Sequence, residues 1–391
     1  MEAILAHAQQ LVYTLLSLMP SQYQRDNLQA MLGLFLEAQG HPLPQHSKSK
    51  SASALSRFLN IYSWSTRKLI RTTREYVLQQ KVVLYRFTPK VEPSLNIPIL
   101  IVYALVNRPY IVDLQEGRSL VANLLNLGLD VYLIDWGYPS RGDRWLTLDD
   151  YINGYINNCV DVVLERHNLE QINLLCICQG GTFSLCYSSL YPEKVKNLIT
   201  MVTPVDFHVN EGLLNVWGGC TLGSKAVDVD LMVNTLGNIP GDFLNLEFLL
   251  LKPLQLGVQK YIDLLENIDS EDKLINFLRM EKWIFDSPDQ AGEAYRQFMK
   301  DFYQGNKLIK GQVEIGKKRV DLGSIRIPIL NIYAEQDHLV PPASSLALET
   351  YIGSADYTLR SFPVGHIGMY VSSKVQRNLP PTIVDWLKVR A

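Results

Sequence analysis

The stretch NLLCICQGG, residues 173–181, decides the fold of this chain. Its first residues are almost all apolar and predict a buried strand, whereas Gly180 and Gly181 open a helix. A strand, a nucleophilic side chain and a glycine-rich helix start form a nucleophile elbow, with Cys178 at the nucleophile position. The elbow needs small residues two before and two after the nucleophile, because strand and helix cross closely there, and Cys176 and Gly180 meet that need. The pattern therefore predicts that Cys178 is a nucleophile.

Two other interpretations of these cysteines have less support. Free cysteines are most often buried structural residues, but here strand, glycine pair and helix are in register around Cys178. A metal site at Cys176 and Cys178 would need further ligands, and the neighbouring sequence supplies no second His or Cys pair at ligand spacing. A thiol at a helix N-terminus is instead activated, because its thiolate faces backbone N–H groups that lack helical partners.

Around the elbow, short apolar runs alternate with helical patterns. Strands buried on both faces of a parallel sheet are apolar at nearly every position, as these runs are. Helices are predicted between them over 114–127, 147–167 and 180–192. The alternation predicts a mostly parallel, doubly wound α/β sheet. The predicted strands are KVVLYRF (81–87), PILIVYALV (98–106), LDVYLIDW (129–136), INLLCI (172–177), NLITMVT (197–203) and IPILNIYA (327–334).

The rest of the chain predicts further regions around that core. Before Lys81 apolar residues recur at helical spacing, and a third helix is predicted from Leu55 to Gln80. The Pro- and Ser-rich stretch 41–54 has too few apolar residues to pack, so it is interpreted as a polar linker. An aromatic-rich insertion between late strands typically forms a cap or lid over the strand ends, and an independent helical domain is the alternative. The predicted regions are N-terminal helices at 1–80, the α/β core at 81–207 and 321–391, and the cap or lid at 208–320.

Composition and charge limit the classes of function. The 391 residues are 47% hydrophobic and 19% charged, which is ordinary for a globular protein. The 37 Lys and Arg against 39 Asp and Glu leave a net charge of −2, so no whole-chain attraction for nucleic acid is expected. Five cysteines are an odd number and not a disulfide framework, which favours a reducing, cytoplasmic compartment. Apolar runs such as 97–106 fall far short of the roughly 20 residues that span a bilayer, so no transmembrane segment is predicted.

A cysteine nucleophile needs a base and an orienting carboxylate, which in this fold follow it in chain order. Asp337 follows the predicted strand 327–334, at the strand end where this fold places its catalytic acid. His366 lies in the glycine-containing loop before a final helix predicted over 380–389. These positions predict Asp337 as the acid and His366 as the base.

Other acids and histidines compete for these roles. His338 adjoins Asp337, while Asp206 and His208 follow the preceding strand. A lone histidine is usually a surface or core residue, and chain order and loop context favour Asp337 over Asp206 as the acid.

Several longer motifs resemble one enzyme family. From about Lys81 to near the C-terminus the chain is similar to the catalytic subunit of class III polyhydroxyalkanoate synthases, which have the α/β-hydrolase fold. In that family the elbow cysteine carries the growing polymer as a thioester and matches Cys178, and the catalytic Asp and His match Asp337 and His366. The motifs that carry the resemblance are YALVNRPY (103–110), VYLIDWGYP (131–139), LTLDDYINGYI (146–156), ICQGG (177–181), MVTPVDF (201–207), RMEKWIFDSPDQAGE (279–293), QDHLVPP (336–342) and GHIG (365–368).

The resemblance implies repeated transfer of (R)-3-hydroxyacyl groups, such as 3-hydroxybutyryl, from coenzyme A (CoA) onto a growing polyester. His366 is expected to act as the base, and Asp337 either to orient it or to assist deprotonation of the attacking hydroxyl. By analogy with the fold, the oxyanion is expected to contact the backbone N–H of Gln179 and a second N–H near Val106 or Asn107.

The family further implies no metal and no organic cofactor, a second non-catalytic synthase subunit, a homodimer of catalytic subunits, and a place at the surface of cytoplasmic polyester granules. Two alternatives stay open at this point. One is a Cys-dependent thioesterase or esterase that transfers the acyl group to water. The other is a non-catalytic granule-associated protein that retains the fold.

Overall fold

A computed structural model of the chain describes residues 74–79, 81–87, 89, 91–209, 211–212, 214–215, 227–251, 260 and 271–391. The linker at 41–54 and most of the predicted N-terminal helical region lie outside the described residues. The described residues fall into two compact units, one within Ile70–Gly241 and Pro288–Ala391, the other within Asp242–Ser287. The boundaries of the cap at 208 and 320 stay a prediction.

The first unit is built on a sheet of eight strands, β1 (Arg74–Gln79), β2 (Val82–Phe87), β3 (Ile99–Val102), β6 (Val131–Asp135), β7 (Ile172–Ile177), β8 (Val195–Met201), β11 (Ile329–Ala334) and β12 (Tyr357–Phe362). Two small hairpins pair β4 (Asp113–Gln115) with β5 (Arg118–Ser119) and β9 (Glu314–Ile315) with β10 (Lys318–Arg319). The order of the strands in the large sheet is β1-β2-β6-β3-β7-β8-β11-β12. The strand β2 runs antiparallel to both of its neighbours, and the strands from β6 to β12 pair in parallel. All six strands predicted from the sequence are present, so the prediction of a mostly parallel α/β sheet is confirmed.

Helices connect the strands and cover the sheet. Short 3₁₀ turns lie at Pro109–Val112, Arg141–Trp145, Pro192–Lys194 and Leu322–Ser324. In the first unit the helices are α1 (Leu120–Asn126), a π-helix (Asp150–Ile156) continuing as α2 (Asn157–His167), α3 (Gln179–Leu190), α4 (Val229–Leu236), α7 (Gly292–Gln297) continuing as a π-helix (Phe298–Gln304), α8 (Pro342–Leu346), α9 (Leu348–Tyr351), α10 (Gly368–Val371) and α11 (Ser373–Lys388). The second unit contains most of α5 (Gly241–Leu251) and all of α6 (Glu271–Phe285).

Every residue of β7 is buried, which explains its unbroken apolar sequence. Leu174 and Cys176 lie in one core cluster with Phe183 of α3. Side chains alternate between the faces of a strand, so Leu175 and Ile177 point the other way, and both are fully buried as well. The sheet is therefore covered on both faces, as a doubly wound fold requires.

Part of the predicted insertion packs into this same core. The ring of Phe298 meets those of Phe183 and Phe207 edge to face, with centroids 5.8 and 5.9 Å apart. Phe302 is fully buried and stacks on Phe298 at 5.0 Å. These aromatic residues therefore stabilise the sheet domain itself.

Two local predictions were wrong. Residues Arg74–Gln79, predicted as the end of a helix, form β1 and pair with β2 from Arg74 opposite Phe87 to Gln79 opposite Val82. That ladder satisfies backbone groups which a helix would pair internally.

The final helix begins at Ser373 rather than at Pro380, so Pro380 and Pro381 lie inside it. Proline lacks an N–H, which leaves the carbonyl of Gln376 without its usual helical donor. The side chain of Asn123 donates to that carbonyl at 3.2 Å, which helps the helix to tolerate Pro380.

Candidate active site

Cys178 lies where β7 ends and α3 begins, in a backbone conformation that side chains rarely adopt. Its φ is 55° and its ψ is −128°, a combination that costs free energy and persists only when its surroundings impose it. The Cys178 N–H donates to the carbonyl of Met201 in β8 at 2.9 Å, and its own carbonyl accepts from Gly181 at 2.9 Å. This sharp turn presents the thiol at the strand end: Cys178 is partly exposed, whereas Cys176 is fully buried.

Close contacts explain why two glycines follow Cys178. A Cβ on Gly180 would lie 2.4 Å from the carbonyl oxygen of Val102 and 2.6 Å from that of Tyr103. A Cβ on Gly181 would lie 1.9 Å from the hydroxyl oxygen of Thr203. Helix α3 therefore reaches its place beside β3 and β8 only because these positions lack side chains.

The structure brings Asp337 and His366 together from two different loops. Asp337 follows β11 and His366 lies between β12 and α10, and both are buried. The Oδ2 atom of Asp337 lies 2.7 Å from Nδ1 of His366. The Oδ1 atom accepts from the N–H groups of Leu339 and Val340, both at 2.9 Å. Both carboxylate oxygens of Asp337 are thus engaged, and Nδ1 of His366 is fixed by one of them.

His366 is coupled to Cys178 as well. Burial alone would lower the pKa of His366, because it disfavours the charged ring. The negative charges of Asp337 and Cys178, with hydrogen bonds to both side chains, outweigh burial and raise the pKa of His366 to about 10. A positively charged imidazole next to a cysteine side chain is an arrangement that suits a cysteine nucleophile.

The two residues predicted to bind the oxyanion lie on segments that are tied together. Gln179 is the first residue of α3, where helix N–H groups lack intrahelical acceptors. Its side-chain oxygen accepts from the N–H of Leu105 at 3.0 Å, which links the elbow to the loop that contains Val106. The indole of Trp136 fixes the start of that loop, because it donates to the carbonyl of Tyr103 at 2.9 Å. The oxyanion assignment to Gln179 and Val106 stays a prediction.

Sequence reasoning missed two tyrosines beside the predicted triad. Tyr103 and Tyr370 are buried, and their rings meet edge to face with centroids 6.2 Å apart. Burial and, to a smaller extent, the charge of Cys178 raise the pKa of both phenols well above the ordinary value, and Tyr103 adds to the effect at Tyr370. Both hydroxyls therefore stay protonated. The signal for Tyr370 was its position four residues after His366, since side chains spaced by four lie on one face of a helical turn.

The competing residues have other partners. Asp206 accepts from the N–H of His208 and from the side chain of Asn306, both at 2.8 Å, and the Nε2 of His208 lies 3.0 Å from the carbonyl of Tyr303. Asp206 therefore holds its own loop. His338 is partly exposed. The histidine ring that contacts the Asp337 carboxylate, among the described hydrogen bonds, is that of His366.

Two features bear on cofactors and membranes. Within the described ranges, no group of three or more His, Cys, Asp or Glu residues is arranged to hold a metal ion. In the same part of the chain, no helix has the length and apolar character needed to cross a membrane.

Comparisons with known proteins identify the fold and the family. A family model described as the alpha/beta hydrolase fold matches residues 97–372. The chain is 71% identical over 321 residues to the poly(3-hydroxyalkanoate) polymerase subunit PhaC of Synechocystis sp., covering 82% of this chain and 85% of that one. It is 56% identical over 317 residues to the same subunit of Allochromatium vinosum, covering 80% of this chain and 87% of that one.

Among solved structures, a monoacylglycerol lipase of Paleococcus ferrophilus is similar with a TM-score of 0.46 and 16% identity, covering 79% of this chain and 99% of that one. The extent and identity of the sequence matches decide the family. This chain belongs to the poly(3-hydroxyalkanoate) polymerase PhaC family of class III synthases, within the α/β-hydrolase fold.

Proposed function

We propose that this chain polymerises (R)-3-hydroxyacyl-CoA into polyester, with release of CoA, through a thioester on Cys178. The observation that carries the proposal is an elbow cysteine coupled to a buried His–Asp pair, in a member of a polymerase family. 3-Hydroxybutyryl-CoA is the substrate that we propose to test first. CoA thioester serves as substrate, and the proposed chemistry uses protein groups alone.

The first step is acylation of Cys178. The sulfur of Cys178 attacks the thioester carbonyl of the substrate, and the bond between that carbon and the CoA sulfur breaks. His366 gives its proton to the departing CoA sulfur. One thioester replaces another, so this step is close to balanced in energy. The proposed oxyanion donors are the backbone N–H groups of Gln179 and Val106, on segments joined by the bond from Leu105 to the Gln179 side chain.

The second step lengthens the polymer. The 3-hydroxyl oxygen attacks the Cys178 thioester, its proton passes to Nε2 of His366, and the bond between the acyl carbon and the Cys178 sulfur breaks. Of the two roles considered for Asp337, the hydrogen bonds support the orienting one. One of its oxygens meets Nδ1 of His366 and the other accepts two backbone N–H groups.

The partners follow from the same proposal. The relatives are named as subunits of the polymerase, which supports the proposal that this chain works with a second, non-catalytic subunit. A homodimer of the catalytic chain, and a place at the surface of cytoplasmic polyester granules, belong to the same proposal as expectations from the family.

The runner-up function is a thioesterase, which would use the same three side chains and transfer the acyl group to water. The test is a mass balance with 3-hydroxybutyryl-CoA, in the presence of the accessory subunit, with free CoA, free acid and polymer esters measured together. We expect ester bonds to account for most of the CoA released, and a Cys178→Ala variant to release none. If free 3-hydroxybutyrate accounts for nearly all of the CoA, the chain is a thioesterase and the proposal fails.

A further inference from the structure

The ring nitrogen of His366 that performs the proton transfers has a second neighbour. Nδ1 is bonded to Asp337, so Nε2 is the nitrogen that serves Cys178. The hydroxyl oxygen of Tyr370 lies 3.4 Å from the same Nε2, and the two rings meet edge to face with centroids 6.0 Å apart. The mechanism above assigns roles to Cys178, Asp337 and His366 and leaves this phenol without one.

Tyr370 is held firmly in this position. Its ring packs against Tyr103, and the side-chain N–H of Gln376 donates to its backbone carbonyl. The guanidinium of Arg118 donates to the carbonyl of the next residue, Val371, at 2.7 Å. A side chain kept only for packing has no need of a hydroxyl, and a buried hydroxyl costs free energy unless it is hydrogen-bonded. The Nε2 atom of His366 is the partner within its reach.

The need for this hydroxyl arises once Cys178 is acylated. The sulfur is then part of an uncharged thioester and no longer attracts Nε2, while His366 has lost its proton to CoA and carries a lone pair there. An imidazole that has lost one of its two partners has more freedom to turn. On the basis of the proposed function, we propose that Tyr370 is a positioning residue: in the acyl-enzyme its hydroxyl donates to Nε2 of His366 and keeps the ring aimed at the incoming 3-hydroxyl.

The bond is long enough to yield when the substrate arrives. The 3-hydroxyl then takes over Nε2, its proton moves to the ring, and the new C–O bond forms as the C–S bond to Cys178 breaks. Tyr370 keeps its own proton throughout. Burial is the largest cause that raises its pKa well above the ordinary value, and the charge of Asp337 acts in the same direction, so in the acyl-enzyme Tyr370 serves as a neutral donor.

Two acyl donors allow acylation, in which Tyr370 has no proposed role, to be measured separately from elongation, in which it has one. Under the proposed function butyryl-CoA should acylate Cys178, and because it has no 3-hydroxyl it should report the first step as a single release of CoA per site. 3-Hydroxybutyryl-CoA reports elongation. In Tyr370→Phe the ring and its packing remain, and we expect acylation within about twofold of wild type but elongation slower by about tenfold, the usual effect of losing one hydrogen bond.

The pH dependence of elongation provides a readout that a packing role would not change. A hydroxyl that donates to Nε2 stabilises the neutral ring of His366 and so holds down its pKa in the acyl-enzyme. Removing it should move the acid limb of the elongation profile to higher pH. The other titratable groups near this ring are Asp337, Cys178 and Tyr103, and Tyr370→Phe leaves all three in place.

A matched control exists in the central sheet, away from the site. The hydroxyl of Tyr132 in β6 lies 2.9 Å from Nε2 of His167, so Tyr132→Phe removes a similar contact away from the site. This variant should change neither the ratio of the two rates nor the pH profile, and thermal unfolding should show that both variants fold. The proposal is overturned if Tyr370→Phe elongates as fast as wild type, or slows both steps equally with an unmoved profile. A wild-type chain that makes only free acid would instead refute the proposed function.

Discussion

The two sides of the candidate site are held in place by different interactions. On the Cys178 side the backbone conformation fixes the position of the side chain. Cys178 has a positive φ, and the two glycines after it have no room for a side chain, since an added Cβ would lie as close as 1.9 Å to another atom. On the acid and base side the hydrogen bonds of side chains decide, with Asp337 joined to His366 and to two backbone N–H groups. The steric constraints are visible in the sequence as small residues at fixed positions. The hydrogen bonds are visible only as one Asp and one His, without a surrounding pattern. The first side should therefore respond to changes of shape, and the second to changes of charge and proton position.

The largest effect is expected at Cys178, where the proposed nucleophile has a strained backbone conformation. Both Cys178→Ala and Cys178→Gly should abolish CoA release, because no thioester can form. Glycine adopts positive φ without strain, whereas alanine keeps the cost, so Cys178→Gly should be more stable than Cys178→Ala by about 1 kcal/mol. Urea unfolding of the two variants measures the difference. Equal stabilities, or a more stable alanine variant, would show that the elbow stores no strain.

A smaller loss is expected at Asp337. In Asp337→Asn an amide replaces the oxygen that meets Nδ1 of His366, and its N–H₂ group favours the wrong ring tautomer. CoA release from the first acylation should fall by roughly a thousandfold while the fold is retained. Asp206→Asn is the control, since Asp206 holds its own loop, and its rate should stay within about threefold of wild type.

Mass spectrometry of the intact protein separates the two roles considered for Asp337. An orienting acid leaves Asp337→Asn largely unacylated. Accumulation of acyl-enzyme would mean that Asp337 acts only on the attacking hydroxyl. A larger loss in Asp206→Asn than in Asp337→Asn would reverse the choice of acid.

The next effect is one of pH. The charges of Asp337 and Cys178, with hydrogen bonds to both side chains, raise the pKa of His366 from 6.5 to about 10 in the folded protein, so the protonated ring should stabilise the fold at neutral pH. The free energy of unfolding, measured with urea, should therefore fall as the pH rises from roughly 7 to 10. In Asp337→Asn the ring loses one supporting charge, so this fall should be smaller and complete at a lower pH. Equal pH dependence of stability in wild type and Asp337→Asn would contradict the raised pKa of His366.

Much of this molecule could be predicted because its signals are local. The six core strands are apolar runs, the elbow is a strand followed by glycines, and Asp337 and His366 follow late strands. The fold and the family were therefore readable from short stretches of sequence.

The features that the sequence did not reveal depend on partners distant in the chain. Residues Arg74–Gln79 form a strand because β2 pairs with them, and Pro380 lies inside a helix because Asn123 donates to Gln376. Likewise, nothing near Gln179 indicates that its side chain accepts from Leu105. Tyr370 was missed although its spacing of four residues from His366 is a local signal, because its contact with Nε2 of His366 becomes visible only in the folded chain.

The smallest effect on activity is expected at Cys176, two residues before the nucleophile. Burial raises the pKa of this thiol to about 12, so it stays protonated and should resist alkylation at neutral pH. It lies in β7, fully buried against the core, and touches none of the reacting groups assigned above. Cys176→Gly should therefore keep activity within about threefold of wild type. Its free energy of unfolding should fall by about 1–2 kcal/mol, because the buried thiol is lost and glycine gives the unfolded chain more conformational entropy. Cys176→Ala, which keeps the Cβ, should lose less stability. A folded Cys176→Gly protein that no longer releases CoA would mean that the elbow needs this side chain, and that shape alone does not decide the Cys178 side.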